Sequence, residues 1–176
     1  VYGAFLTATG HLIDDAIVFM LAEEVFLVVI NAGMGPAVAT HLTHHREDRD
    51  VRVQDLSGQV GKMDVQGPMA GKIMRNVLAA PEQVFDAMPY FAFKGGFSDS
   101  MPACGQVTMR DGIPLLLSRT GYTGEFGFEI FTSAATIITV WEAVMAAGAD
   151  YGALPCGLAA RDSLRAGAVL PLSHQD

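Results

Sequence analysis

The chain opens with three apolar runs parted by short polar turns. Val1 to Thr9 carries the β-prone residues Tyr2, Phe5 and Leu6, and Thr9-Gly10-His11 turns it into Leu12 to Leu21, a run that contains Asp14 and Asp15. Ala22-Glu23-Glu24 makes the next turn, and Val25 to Asn31 follows, almost wholly apolar. A run with apolar residues at both parities fits a strand covered on both faces, so the pattern predicts a three-strand meander with Val25 to Asn31 at its centre. Ala32 to Gly35 breaks the run, and Pro36 stands at a first helical position, where a missing N–H does no harm, predicting a helix to about Asp48. Arg46 to Arg52 alternates in sign, reads as a solvated helix end and loop, and marks the expected boundary between two subdomains, residues 1–48 and 49–176.

Beyond that boundary Val51 to Leu56 and Val60 to Gln66 read as strands joined at Ser57-Gly58. Gly67-Pro68 opens a helix to about Leu78, Pro81 starts a shorter one to Met88, and Ala92 to Ser100 reads as loop or irregular strand. Gln106 to Met109 and Ile113 to Ser118 form a hairpin across Arg110-Asp111-Gly112. Gly121, Gly124 and Gly127 then recur at every third position between that strand and Phe128 to Phe131. Glycine at this density between strands means backbone at positive φ, or backbone closely approached by something else. Ser133 is the expected cap of a helix to about Ala147 with Ile137, Ile138, Trp141, Val144 and Met145 on its buried face, and Gly157 begins a last helix to about Ala166. Strands and helices mix without regular alternation, so the class expected is α+β rather than a doubly wound sheet.

Composition sharpens this picture. Of 176 residues 51% are hydrophobic and 17% charged, more apolar surface than so short a chain readily buries, which implies packing against a further domain or partner. No apolar run approaches the length of a membrane span and no charged-then-apolar leader opens the chain, so neither membrane nor secretory signal is expected. The net charge of −8 argues against nucleic acid, whose phosphates call for a basic face. Cys104 and Cys156, far apart and outside any CxxC pattern, fit buried thiols in a reducing cytoplasm.

Several constellations lack the spacing their chemistry needs. His41, His44 and His45 share a helical face but have no cysteine or appropriately placed glutamate beside them, so no metal site is expected. The three glycines precede a strand rather than a helix and lack the lysine of a phosphate loop, and no Gly-x-Ser-x-Gly turn surrounds Ser118 or Ser163. The carboxylates are more informative. Asp14 and Asp15 lie within an apolar strand and point to opposite sides, so at least one faces a packed surface or a cleft. Glu129 is likewise set among aromatic and apolar residues, and Arg161 is a distant cation able to partner one of them. Each carboxylate is either paired structurally or presented to a ligand. A buried carboxylate near an arginine is a receptor for a flat heterocycle with an amide-and-amine edge, because it accepts two parallel N–H bonds.

Five motifs occur in order: Gly10-His11-Leu12-Ile13-Asp14-Asp15, Val28-Val29-Ile30-Asn31-Ala32, Val65-Gln66-Gly67-Pro68, Arg119-Thr120-Gly121-Tyr122-Thr123-Gly124-Glu125 with Phe128-Glu129 close behind, and Gly157-Leu158-Ala159-Ala160-Arg161-Asp162-Ser163-Leu164-Arg165. Together they resemble the aminomethyltransferase family, the T-protein of the glycine cleavage system. The resemblance implies a folate-binding fold of two intertwined, ferredoxin-like α+β halves, with a leading segment before Tyr2 and a β-barrel after Asp176 that this sequence does not contain. It implies transfer of a methylene from an aminomethyl group on the lipoyl arm of an H-protein partner to tetrahydrofolate, with release of ammonia and no metal. Carried over by motif, Asp15 is the catalytic carboxylate, Glu129 with Arg161 binds the pterin edge, and Tyr2, Asn31 and Tyr122 line the folate pocket. Two departures stand out: Ala166-Gly167-Ala168-Val169 replaces the family's Leu-Glu-Ala-Gly, and Leu172-Ser173-His174 replaces Leu-Tyr-Gly. They leave open a related folate-dependent demethylase or the accessory one-carbon domain of a methylglycine dehydrogenase. A third alternative, a non-catalytic folate-binding protein of the iron–sulfur maintenance type, would carry a cysteine at the position of Gly121.

Overall fold

The computed structural model describes residues 1–173 and Gln175; His174, part of the second departure, and Asp176 lie outside the described residues. The described chain is α+β, with two wholly antiparallel sheets. It divides into two compact units, Val1–Gln59 with Leu172–Asp176, and Val60–Pro171.

In the first unit, β1 (Tyr2–Leu6), β2 (Leu12–Ala22) and β3 (Val25–Ile30) form the meander, followed by helix α1 (Gly35–His45). The sheet order is β1-β2-β3, so β2 is central and β3, expected at the centre, is an edge strand. The reason is length and register: β2 runs for 11 residues and pairs Tyr2 with Ile17 on one side and Ala16 with Ile30 on the other. Apolar content alone did not separate the two, because Phe26 of β3 stands 54% exposed. Burial along β2 also changes parity. Asp14 and Ala16 are buried on one face, Phe19 and Leu21 on the other, so each face is covered over only part of its length. Val51 to Leu56, expected as a strand, is irregular and largely exposed, and Asp55 accepts the Ser57 N–H to make a side-chain turn instead.

The second unit holds a four-stranded sheet of order β4-β7-β6-β5, from β4 (Val60–Gln66), β5 (Phe93–Gly95), β6 (Leu116–Ser118) and β7 (Gly127–Ser133). Helices α2 (Ala70–Val77), α3 (Pro81–Phe85), α4 (Ile137–Gly148) and α5 (Leu158–Gly167) complete it. Ala70, Ile73, Met74 and Val77 fall at the i, i+3, i+4, i+7 spacing of one helical face and are buried. That face, with Val140 and Val144 of α4, packs in one core with Val65, Leu117, Phe128 and Ile130. Full burial of side chains of this size contributes about 1.5–3 kcal/mol each, so this core fixes the sheet's orientation. β7 is buried on both faces: Phe128 and Ile130 enter the core, while Glu129 and Phe131 project oppositely.

Local differences from expectation have local causes. Ser133 ends β7 and Thr136 takes the cap position of α4, whose Ile138 and Trp141 turn outward at 70% and 41% exposure because Val140 and Val144 define the buried stripe. The Arg110-Asp111-Gly112 turn forms, with Gly112 at φ +90° and Met109 N–H bonded to the Ile113 carbonyl, but only a single bridge, Thr108 to Pro114, continues it. Cys104 and Cys156 are free and exposed rather than buried. No helix among the described residues is long and apolar enough to cross a membrane.

Candidate functional site

In the first unit the meander brings Tyr2, Asp14, Asp15 and Asn31 together. Tyr2 pairs with Ile17 and so runs beside Asp15 on the neighbouring strand, while Asn31 follows the end of β3, one step past the Ala16–Ile30 pair. Asn31 serves both aspartates. Its backbone N–H donates to Asp14 Oδ2 at 2.9 Å, and its amide nitrogen donates to Asp14 Oδ1 at 2.7 Å and Asp15 Oδ1 at 2.6 Å. Tyr2 Oη donates to Asp15 Oδ2 at 2.7 Å, and the Ser173 hydroxyl donates to Asp15 Oδ1. Asp14 is fully buried and its bonds to Asn31 satisfy it structurally; Asp15 is only half-buried. Burial works to raise the Asp15 carboxyl, but the bonds from Ser173, Tyr2 and Asn31 outweigh it and hold the group below the usual carboxylate range. Asp15 is thus an ionised, oriented carboxylate at neutral pH.

In the second unit, strand register builds a polar row across three strands. Asp64 of β4 stands opposite Glu129 of β7, which stands opposite Ser118 of β6. Residues so paired share a face, and Lys62, two positions before Asp64, joins them. Lys62 Nζ lies 2.7 Å from Asp64 Oδ1 and 2.7 Å from Glu129 Oε1. Thr120 Oγ1 donates to Glu129 Oε2 and lies 2.7 Å from Ser118 Oγ. Two carboxylates facing each other across a strand pair would repel; the ammonium placed against both removes that penalty. Burial acts to lower the Lys62 pKa, yet Glu129 and Asp64 prevail and raise it above the ordinary lysine value.

Arg161, expected as the cation for one of the carboxylates, stacks instead over the Tyr122 ring, its guanidinium carbon 4.4 Å from the ring centroid. Tyr122 Oη donates to the Pro171 carbonyl, so this loop is fastened to the segment around α5. The glycines between β6 and β7 divide by cause. Gly124 has φ +74° and faces Ala168, where a Cβ would sit 2.6 Å from the alanine methyl. Gly121 and Gly127 make room for Gln66, whose amide nitrogen donates to the Thr120 and Phe128 carbonyls at 3.1 and 3.2 Å. The close approach expected at these glycines is therefore that of a neighbouring side chain.

Sequence reasoning named Tyr2, Asp15, Asn31, Tyr122, Glu129 and Arg161. The structure groups Tyr2, Asp15 and Asn31 in the first unit, pairs Tyr122 with Arg161 in the second, and places Glu129 in the polar row. It adds Ser173, Lys62, Asp64 and Thr120. A signal for two of these was present: Lys62, Asp64 and Gln66 alternate with Gly61, Met63 and Val65, a polar stripe on one strand face. Ser173 sits in one of the two departures from the family pattern.

The GCVT N-terminal domain family matches residues 1–176. The chain belongs to that family. Relatives in the GCVT family include the aminomethyltransferase of Geobacillus thermodenitrificans (strain NG80-2), 36% identical over 93% of this chain and 41% of the relative. That of Bacillus pumilus (strain SAFR-032) is 35% identical over 99% of this chain and 44% of the relative. The chain thus spans less than half the length of these aminomethyltransferases. Among solved structures, the glycine cleavage system aminomethyltransferase T from Bartonella henselae matches with a TM-score of 0.74 and 28% identity, covering 97% of this chain and 41% of that one. The heterotetrameric sarcosine oxidase from Corynebacterium sp. U-96 shares the fold at a TM-score of 0.55 and 20% identity, over 82% of this chain and 64% of that one.

Proposed function

We propose that this chain is the folate-binding portion of a tetrahydrofolate-dependent aminomethyltransferase of the glycine cleavage system. The substrate pair is tetrahydrofolate and an aminomethyl group on the lipoyl arm of an H-protein, and the products are methylenetetrahydrofolate, ammonia and the reduced arm. The observation that supports this most is the convergence of Tyr2, Asp15 and Asn31, three residues nominated from the sequence and its family resemblance, on one hydrogen-bonded cluster. In this reading Asp15, kept ionised by its three donors, faces the folate amines and favours the positive charge that develops as the methylene is transferred. Glu129 accepts the parallel N–H pair of the pterin edge. Tyr122 and Arg161 form a flat, cationic wall suited to an aromatic, anionic folate.

Calorimetry with tetrahydrofolate on the complete gene product tests the assignment: Asp15→Asn and Glu129→Gln each weaken binding, and unchanged affinity in both sinks the folate reading. A second reading, a folate-dependent demethylase, is favoured by one feature. A motif departure places the Ser173 hydroxyl on Asp15 itself, so the donor handled by that carboxylate can differ from an aminomethyl group. Product analysis with lipoyl-bound aminomethyl against N-methyl and O-methyl donors separates the two.

A further inference from the structure

We propose that Lys62 reads the oxo group of the heterocycle whose N–H edge Glu129 receives, making the Lys62–Glu129 pair a selector for 2-amino-4-oxo over 2,4-diamino rings. The inference rests on the folate reading and adds a residue and a specificity to it.

A carboxylate offers about four lone-pair directions on its two oxygens. Glu129 uses one on Oε2 for Thr120 and one on Oε1 for Lys62, leaving one on each oxygen. Two vacancies side by side match two parallel N–H donors, such as the ring N–H and amino group of a 2-amino-4-oxo pyrimidine. In such a ring the oxo group is bonded to the carbon next to the ring N–H. A ligand seated on Glu129 with that N–H at Oε1 therefore carries its oxo group toward the cation already held there. Lys62 Nζ is 2.7 Å from Oε1, and an ammonium has three donors, of which Asp64 and Glu129 take two. The third is available to an acceptor. The Lys62 side chain is 34% exposed against 6% for Glu129, so of the two side chains it is the lysine that reaches the surface. Asp64, 2.7 Å from the ammonium on its own strand, holds it in place and helps keep it charged. A neutral ring with an amino group in place of the oxo group has lost the ring N–H that Oε1 accepts and presents a donor to this cation, so both members of the pair reject it, Lys62 through the 4-position.

The test measures affinity for tetrahydrofolate and for its 4-amino-4-deoxy counterpart, in the complete gene product, above the pKa of the diamino ring. Lys62→Met is expected to weaken tetrahydrofolate about ten- to a hundredfold, the size of one charge-assisted hydrogen bond, and to leave the 4-amino compound unchanged or tighter. Because Lys62→Met leaves Asp64 and Glu129 opposed, the double variant Lys62→Met with Asp64→Asn is measured beside it and shows the same shift in ligand preference. If wild type binds both ligands and the variants weaken both alike, or neither, the assignment to Lys62 is overturned while folate binding stands. If wild type binds neither ligand, the folate reading fails and the inference with it.

Discussion

Gly121 is the place where the packing between β4 and the β6–β7 connection can be broken by a single methyl group. Its φ lies outside the left-handed region, so alanine suits the backbone, and only space is at issue. A Cβ there would lie 2.5 Å from both Gln66 Nε2 and Oε1 and 2.7 Å from Cδ, about 1 Å inside an ordinary contact. The amide has to retreat by that distance, which takes it out of reach of the Thr120 and Phe128 carbonyls it now bonds at 3.1 and 3.2 Å. Both residues are buried, at 2% and 1% exposure, so water does not replace the lost donor. At about 1–2 kcal/mol for each hydrogen bond lost from a buried carbonyl, Gly121→Ala costs about 2–4 kcal/mol. Trp141, the only tryptophan, lies in α4 of the same unit and reports its unfolding by fluorescence in urea. The informative comparison is a double-mutant cycle. In a Gln66→Ala background the obstructing amide is gone, and alanine at position 121 then costs no more than about 0.5 kcal/mol, the range of an ordinary surface change. Equal costs in the two backgrounds would refute the account of why this glycine is needed.

Three further perturbations follow from the same geometry. Asn31→Ala removes the amide donor shared by two carboxylates, one of them fully buried, and is expected to destabilise the first unit by about 2–4 kcal/mol, read by hydrogen exchange of the β2–β3 amides; unaltered protection there contradicts it. Asp15 has a folded-state pKa below its unfolded value, so its contribution to stability is complete above the unfolded pKa and is lost as pH falls through the lower folded value. Tyr2→Phe removes one of its donors and moves its carboxyl titration upward, as seen by carbon NMR, whereas an unmoved titration means that the tyrosine hydroxyl does not hold the charge. Tyr122→Phe retains the ring under Arg161 but loses the bond to the Pro171 carbonyl, costing about 0.5–1.5 kcal/mol, and Tyr122→Ala costs more because the stack goes too; equal costs would show that the stack contributes nothing.

Much of this architecture was legible in the chain because period and punctuation are local properties. The turns at Gly10 and Glu23–Glu24 and the helix after Pro36 follow directly from residue order. What required the structure was non-local. Strand order in the first sheet depends on which strand is long enough to pair twice, and Val25–Ile30 is apolar without being central. The α4 stripe turned on whether Val140 or Trp141 met the sheet, a choice that spacing alone left open. Gln66 meets the Thr120 and Phe128 carbonyls across 54 and 62 residues, so no local pattern explains the glycines at 121 and 127. Lys62 and Asp64 were visible as alternating polar residues, but their value as partners of Glu129 depends on strand register. Family resemblance nominated Tyr2, Asp15 and Asn31, but that one amide ties Asp15 to its buried neighbour is a property of the fold.

That shared amide constrains how this site can evolve. A change at position 31 that retunes Asp15 also strips a donor from Asp14, so acidity and folding are inherited together at that position. The hydroxyls of Tyr2 and Ser173 carry no such double duty toward Asp14: they reach Asp15 from separate segments of chain. Variation in the carboxylate's basicity therefore has two inexpensive routes, one through the first strand and one through residue 173. The second coincides with a position where this chain already departs from its family's pattern.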